Sequence, residues 1–371
     1  MATFTRDLAA TIGDREVVVL HPSEQPSSAY PIEVHHRIRK DEPADYLRTA
    51  AGLDRCVGIV SIQHEYGIWG GEDGDYVIDF VRSLDVLAVA TLHTVLQHPT
   101  PGQRAVLAEL VALTEATVVM SRSAEDLLAD VYGVDRRRLH VIPHGVPNLP
   151  LVDAETVKGD LGVGGRQVIL SFGLLGPGKG YELALAALPD VVAAHPSVLY
   201  VVVGATHPDL IRNEGERYRQ SLIDTVARLG LQDHVRFIDR FVGRVELTRW
   251  LEAADVFVTP YPNLDQIVSG TLSYAMGAGR AIVSTPYAYA RELLADGRGV
   301  LVPPASPEAL GLALNEVLGD PELRASLGRR AYAYSRGMVW SAVGADYGDL
   351  FQRIAAPERS TVRSTLVAAS A

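Results

Sequence analysis

Short apolar runs recur along this chain between longer stretches whose apolar positions return every three or four residues. That change of period predicts strands joined by helices, hence βα units and a parallel sheet. The first series of runs covers 16–20, 57–63, 86–92, 116–120 and 139–142, with helical stretches such as 101–114 and 123–132 between them. Ser121 or Ser123 is suited to cap the second helix and Gly133 to stop it. The segment PHGVPNLP at 143–150 concentrates prolines and reads as a linker. The series restarts at 167–172 and continues at 198–203, 235–238, 255–259, 281–284 and 299–302, separated by helical stretches that include 181–194, 217–229 and 245–253. A last helix, about 339–354, carries Trp340, Tyr347 and Phe351 at the spacing of a buried stripe.

The fold class expected from this pattern is α/β, with two doubly wound Rossmann-like domains facing each other across a cleft and a ligand at the carboxyl ends of the strands. The expected boundaries are 1–147 for the first domain and 148–337 for the second. A helix at 338–356 crosses back to the first domain, and a small, polar tail at 357–371 is disordered.

Composition narrows the partners. Hydrophobic residues make up 47% and charged residues 21%, which fits a globular α/β chain and argues against disorder. The net charge of -11 argues against nucleic acid, which needs a dense basic face. The local basic groups, Arg136–Arg138 and 37–40, read as solvated faces. The single cysteine, Cys56, rules out an intramolecular disulfide and sits in an apolar run, so it reads as a core thiol in a reducing compartment. No apolar stretch approaches the ~18 residues of a membrane span, and the opening MATFTRDLAA lacks a signal peptide's apolar centre. The expected location is cytoplasmic, with membrane contact at most peripheral.

The stretch 261–285 (YPNLDQIVSGTLSYAMGAGRAIVST) holds the strongest candidate chemistry. A strand ending at Pro260 runs through a polar loop with Asp265 and Gln266 and a Ser269-Gly270-Thr271 turn into a segment of small residues. Such a strand–turn–helix exposes unpaired N–H groups at the positive end of a helix dipole, where a phosphate binds favourably. One reading is a site for the diphosphate of a sugar nucleotide; the other is that Gly270 only shapes a tight turn. SFGLLGPGKG at 171–180 lets backbone approach a ligand through Gly173 and Gly176, with Lys179 placed to neutralise a phosphate or simply to face solvent. Thr206 and His207 follow the next strand and Arg240 the one after, so each is a candidate for the ligand; His207 could equally cap a helix.

In the first half, His93-Thr94 and His64-Glu65 close two successive strands at the cleft side, with Gly70-Gly71 shortly after the second pair. Each histidine is a candidate for chemistry or a satisfied core residue. A zinc site of His64, His93 and Glu65 lacks a second close-spaced ligand pair, so no metal is expected. No GxGxxG follows a strand, which counts against a redox Rossmann enzyme.

Taken together, VIPHGVP, SFGLLGPGKG, AADVFVTP, SGTLSYAMGAGRAIVST and Glu292 within ARELL resemble the family 4 retaining glycosyltransferases of the GT-B architecture, over nearly the whole chain. The DQxxSGTLxYA pattern resembles a bacterial branch of that family. The resemblance implies a hexosyltransferase of bacterial polysaccharide biosynthesis that moves a sugar, with retention, from a nucleoside-diphosphate sugar to a saccharide or glycoconjugate. The sugar nucleotide is a co-substrate, and neither cofactor nor metal is implied. His93, Lys179 and His64 become the catalytic candidates. The donor side takes Gly173, Gly176, Lys179, Thr206, His207, Arg240, Tyr261, Asp265, Gln266, Ser269, Gly270, Thr271, Leu272 and Glu292, with the amides of Thr271 and Leu272 on the diphosphate. The acceptor side takes Glu65, Gly70, Gly71 and Thr94.

Three departures qualify the resemblance. Gln266 and Tyr274 stand where the family has two glutamates, and an amide both donates and accepts where a carboxylate only accepts. Leu174 stands where the family has an arginine. MATFTRDLAA matches the family's first helix already under way, so the first strand is expected to be missing. A non-catalytic sugar-nucleotide-binding protein, a GT-B sugar-nucleotide epimerase and a glycoside phosphorylase are the competing readings.

Overall fold

A computed structural model describes residues 2–13, 15–22, 30, 34–53, 57–356 and 364–369. Cys56 lies outside the described residues, and with it the reading of a core thiol. The chain divides into two compact units, Met1–Gly145 with Trp340–Ala371, and Val146–Val339. The divisions fall two residues from the expected boundaries at 147/148 and 337/338, and the last helix belongs to the first unit.

The first unit begins α1 (Ala2–Ala9), β1 (Arg15–His21), β2 (Val34–Arg39), α2 (Pro43–Leu53), β3 (Ile59–His64), α3 (Tyr76–Arg82) and β4 (Leu87–Leu92). It continues with α4 (Pro101–Leu113), β5 (Ala116–Val119), α5 (Arg122–Tyr132) and β6 (Leu139–Val141). The second unit holds α6 (Glu155–Lys158), β7 (Gln167–Phe172), α7 (Tyr181–Ala194), β8 (Val198–Val203), α8 (Pro208–Glu214), α9 (Arg217–Arg228), β9 (Val235–Ile238) and α10 (Arg244–Ala253). Then follow β10 (Val256–Thr259), α11 (Gly270–Gly277), β11 (Ala281–Ser284), α12 (Ala288–Leu293), β12 (Val300–Leu301), α13 (Pro307–Gly319) and α14 (Pro321–Ser335). The chain closes in the first unit with α15 (Trp340–Ala355) and β13 (Ser364–Ala369).

Local chemistry sets the helix ends. Ser121 is the cap that α5 uses, its hydroxyl accepting from Ala124 N, and Gly133 ends the helix in the left-handed conformation at φ 70°. Thr100 and Gln103 form a capping box at the start of α4. Trp340, Tyr347 and Phe351 of α15 are all buried, and Tyr347 hydroxyl lies 3.0 Å from Thr91 Oγ1 on β4.

The second unit is a parallel sheet in the order β12-β11-β10-β7-β8-β9. Its strands β8, β10 and β11 are buried along their whole length, as parallel strands covered on both faces must be, and they read as unbroken apolar runs for that reason. Leu185, Leu188 and Val191 of α7 and Leu314, Val317 and Leu318 of α13 share one core with β8, each side chain contributing about 1.5–3 kcal/mol. From β7 the chain builds outward through β8 and β9 on one side, and from β10 through β11 and β12 on the other. The switch point lies between β7 and β10, where ligands bind in such sheets.

The first unit is also parallel, in the order β2-β1-β13-β3-β4-β5-β6, and departs from expectation twice. The edge strand β2 (VHHRIR) escaped the pattern because its apolar positions are interleaved with basic ones. The second departure corrects the disordered tail: residues 364–369 form β13, in the central slot between β1 and β3, with Val367 in register with Val18 and Ile62. The physical reason is that STLVAA carries no charge and no proline, so it can fill a slot with ladder partners on both sides. The centre of this sheet is therefore supplied by the end of the chain.

Val367→Pro removes a ladder N–H from that central strand and should lower the melting temperature of the first unit by about 4 °C or more, as read by circular dichroism. Deletion of 357–371 should lower it further. Unchanged melting in both would show that β13 adds nothing to this unit.

Candidate functional site

In the second unit, the residues expected at the donor side gather around the start of α11, beyond the carboxyl ends of β7 and β10. Ser269 caps α11, its Oγ accepting from Leu272 N at 3.3 Å, and Ser273 N donates to Ser269 O. Leu272 N is thus committed to the cap, which corrects its assignment to a ligand. The N–H groups of Gly270 and Thr271, in the first turn, have no partner within the helix. A hydroxyl chain stands beside them: Tyr261 Oη lies 2.8 Å from Thr271 Oγ1, which lies 3.1 Å from Ser269 Oγ.

The loop after β7 is pressed against this turn by backbone. Gly180 has φ 68°, and a Cβ there would stand 2.0 Å from Pro260 O, so only glycine allows the loop to rest on the end of β10. That contact carries Lys179 to Tyr261, with Nζ 4.5 Å from the ring centroid, a cation–π arrangement. The Tyr261 ring stacks in turn on the buried Tyr287, with centroids 5.1 Å apart and planes 18° from parallel. Gly173 has φ 131°, and a Cβ added there would meet Thr271 Cγ2 at 3.5 Å. Gly173, Lys179, Tyr261, Ser269, Gly270 and Thr271 thus form one cluster at the switch point, where a helix dipole, an ammonium and hydroxyl groups can meet an anion; Gly176 lies in the loop after β7, and a Cβ there would meet Leu210 Cδ1 at 3.4 Å.

The other donor-side candidates have different settings. Gln266 Nε2 donates to Val268 O at 2.8 Å while its main-chain carbonyl accepts from Tyr289 N, so the loop is seated on α12. Asp265 is exposed, its N–H bonded to Asn263 Oδ1. Tyr274 is a buried helix residue packed against Phe172. Glu292 lies on α12, its main-chain carbonyl accepting from Arg298 Nη2. His207 Nδ1 accepts from Asp209 N and caps α8, the bland alternative for that residue. Arg240 is exposed and paired with Glu246 at 2.6 Å. Thr206 is buried and donates its hydroxyl to Glu216 Oε2 at 2.5 Å, which corrects its reading as a ligand contact.

In the first unit, His93 Nε2 lies 2.9 Å from Oε1 of the buried Gln63. With that amide orientation His93 carries its proton on Nε2, and Nδ1 is the acceptor. The ring packs edge-on to Phe4 of α1, 4.8 Å between centroids, and Phe4 also touches His144 and Trp340. Thr94 Oγ1 donates to Glu65, whose carboxyl is nevertheless held above its usual range by burial. His64 is corrected from a catalytic to a core residue: it is 0% exposed, packs edge-on to Tyr66, and neither ring nitrogen has a partner among the described residues. Gly70 and Gly71 shape the turn. A Cβ on Gly70 would strike Lys40 O, and Gly71 has φ 84°.

Both halves of the chain have known relatives. The profile described as "Glycosyltransferase Family 4" matches residues 1–148, and "Glycosyl transferases group 1" matches 153–334. The chain belongs to glycosyltransferase family 4, of the GT-B architecture. D-inositol 3-phosphate glycosyltransferase of Kineococcus radiotolerans is 29% identical over 279 residues, 69% of this chain and 61% of that protein. Phosphatidyl-myo-inositol mannosyltransferase of Mycolicibacterium smegmatis is 29% identical over 57% of this chain and 51% of its own length. The match to these two relatives spans less than two thirds of either. Sucrose-phosphate synthase of Thermosynechococcus elongatus has the same fold with a TM-score of 0.74 at 17% identity, covering 96% of this chain and 92% of that one. Anabaena HepE, solved with UDP and glucose, has a TM-score of 0.73 at 16% identity, covering 91% and 99%. Among the described residues no helix is long and apolar enough to cross a membrane.

Burial holds His64 and His144 at pKa values of about 4, and holds His93 well below the usual imidazole range. An unfolded chain takes up these protons near pH 6.5, so the first unit keeps its full stability above that pH and loses it as the pH falls toward 4. Each fully buried neutral histidine contributes up to about 1.4 kcal/mol per pH unit in that window. His64→Leu should remove one such contribution, seen as a shallower fall of the urea midpoint between pH 6.5 and 4. An equal fall in both proteins would show that His64 titrates normally.

Proposed function

We propose that this protein is a retaining glycosyltransferase that moves a sugar from a nucleoside-diphosphate sugar to a saccharide or glycoconjugate acceptor. The observation that carries the reading is the cluster at the start of α11: first-turn amides of Gly270 and Thr271, the Tyr261–Thr271–Ser269 hydroxyl chain and Lys179. It offers positive potential and hydroxyl groups to the two phosphates that leave with the nucleoside. Stabilising charge that develops on a leaving group is the largest single contribution a site of this kind makes.

In this reading the bond from the anomeric carbon to the diphosphate oxygen breaks as the acceptor oxygen approaches from the same face. The acceptor's proton passes to that diphosphate oxygen, so the products are a nucleoside diphosphate and a glycoside of unchanged anomeric configuration. Lys179 and the α11 amides meet the developing negative charge; the proposed reaction uses no metal ion and no resident cofactor. The first unit takes the acceptor, and His93 and Thr94 are the groups proposed to hold it. His93, with its proton on Nε2 committed to Gln63, orients through Nδ1 as a hydrogen-bond acceptor. Because HepE was solved with UDP, a uridine donor is the first to test, and inositol phosphates belong in the acceptor panel because of the relatives' names.

A thermal-shift series with UDP, GDP and ADP should show one of them raising the melting temperature of the second unit; a ligand at 100 times its Kd adds about 2.7 kcal/mol. No response to any of the three would overturn the donor site. Lys179→Ala should lower kcat/KM for the sugar nucleotide by about 100-fold. Gly180→Ala, which forces a Cβ into Pro260 O, should do the same by dislodging the lysine. Wild-type turnover in both variants would remove Lys179 from the mechanism.

A further inference from the structure

Beyond the α11 cluster, one group in the second unit is costly and unexplained by packing. Arg219, in the first turn of α9, is 4% exposed. Its Nη2 donates to Gly204 O at 3.0 Å and lies 2.5 Å from Asp239 Oδ1, while Nε donates to Glu216 Oε2 at 3.3 Å. The remaining nitrogen, Nη1, is buried without a protein partner among the described residues. A buried guanidinium with an idle donor is a poor way to stabilise a turn, since an apolar side chain of similar volume often does as well or better. What an apolar side chain could not do is fix several polar groups in place at once.

The groups it fixes are the loops at the ends of β7, β8 and β9. Gly204 closes β8 at φ 147°, and a Cβ there would stand 2.0 Å from Gly173 O, so its backbone is wedged against the first glycine of the loop after β7. Arg219 holds the carbonyl of that same Gly204. Through Glu216 it also holds Thr206, whose hydroxyl shares the carboxylate oxygen that receives Arg219 Nε. The segment around Thr206 is laced in turn to the loop after β7: Leu175 N donates to Ala205 O and His207 N to Leu175 O, both at 2.9 Å. Asp239 brings in the end of β9. A planar fork with donors in several directions suits this task, and a lysine's single ammonium suits it less well.

We propose that Arg219 is a positioning residue of the donor subsite. It touches no substrate; it sets the backbone of 204–206, and through Leu175 the backbone of 173–176, at the distance a diphosphate requires. The inference rests on the donor reading given above. Without Arg219, Glu216 and Asp239 would face each other without a cation between them, and the loop after β7 would lose its seat.

The test measures UDP affinity by calorimetry on the full chain, well below each variant's melting temperature. Arg219→Met should weaken UDP about tenfold, equivalent to about 1.4 kcal/mol, and Arg219→Lys should recover part of that loss. Thr206→Val should weaken UDP in the same direction, and the double variant should be no weaker than Arg219→Met alone, because both changes break one network. In turnover of a uridine sugar nucleotide, the loss should fall on KM with kcat within about threefold. Wild-type UDP affinity in Arg219→Met, or effects that multiply in the double variant, would overturn the proposal. If Arg219→Met does not fold, Glu216→Ala and Thr206→Val decide it: weakened UDP in both supports the network, and wild-type affinity in both removes it. A wild-type protein that binds none of UDP, GDP and ADP overturns the donor reading and this inference together. UDP bound equally by wild type and Arg219→Met overturns the inference alone.

Discussion

The second unit depends on backbone meeting backbone at two places where no side chain fits. Gly180 rests on the carbonyl of Pro260, and Gly204 on the carbonyl of Gly173, each with a positive φ that a residue with a Cβ adopts at a cost. The first contact joins the loop after β7 to the end of β10, and the second joins it to the end of β8. Between them they fix that loop from two sides at the switch point of the sheet. Lys179, Tyr261 and the start of α11 are brought together by these approaches more than by any side-chain interaction of their own.

Buried cations do the equivalent work away from the site. Lys158 is fully buried between Glu155 at 2.5 Å and Asp255 at 2.7 Å, and the same Asp255 oxygen accepts from Val168 N at the start of β7. Arg280 is buried with no carboxylate in an ion pair with its guanidinium among the described residues. It donates instead to the main-chain carbonyls of Ala278, Glu252, Ala254 and Val152, and burial holds its pKa below the usual arginine value. Glu252 and Ala254 stand at the carboxyl end of α10, where the helix dipole favours a cation. Lysine, with one compact ammonium, could not reach four carbonyls in this spread, so the arginine is a geometric requirement. Arg219 follows the same logic at the strand ends.

Much of this was legible in the sequence, and the exceptions have specific causes. The strands at 167–172, 198–203 and 281–284 coincide with the structure because inner parallel strands must be largely apolar, and 235–238 coincides as a half-buried edge strand. The turn into α11 was legible because Ser269 and Gly270 suit a strand-to-helix junction, and Ser269 is the cap there. Its internal allocation was not: the pattern cannot say that Ser269 Oγ takes Leu272 N. His64 was misread because a histidine at a strand's end looks the same whether its ring turns outward or inward, and β3 is buried on both faces. Arg219 closes a charged stretch, 212–219, in which the sequence pattern marks no one residue apart from the others. Only the phase of α9, which turns position 219 toward Gly204, separates it from Arg217, which is exposed on the same helix.

The first unit shows how a fold can tolerate an unusual order of its parts. Its sheet needs a central strand with ladder partners on both sides, and the order of addition along the chain is not fixed by that need. β13 meets it with residues 364–369, parallel to β1 and β3 and in register with both. The strands on either side then build outward, β1 to β2 in one direction and β3 to β6 in the other. The carboxyl end of β13 therefore stands at this unit's switch point, between the carboxyl ends of β1 and β3. In doubly wound sheets that position receives the ligand whatever the chain order, because it is where neighbouring loops diverge and leave a crevice. His93 and Thr94 follow β4, one strand further out. The strand that fills the centre of the sheet thus also sets how far β3, and β4 beyond it, stand from β1.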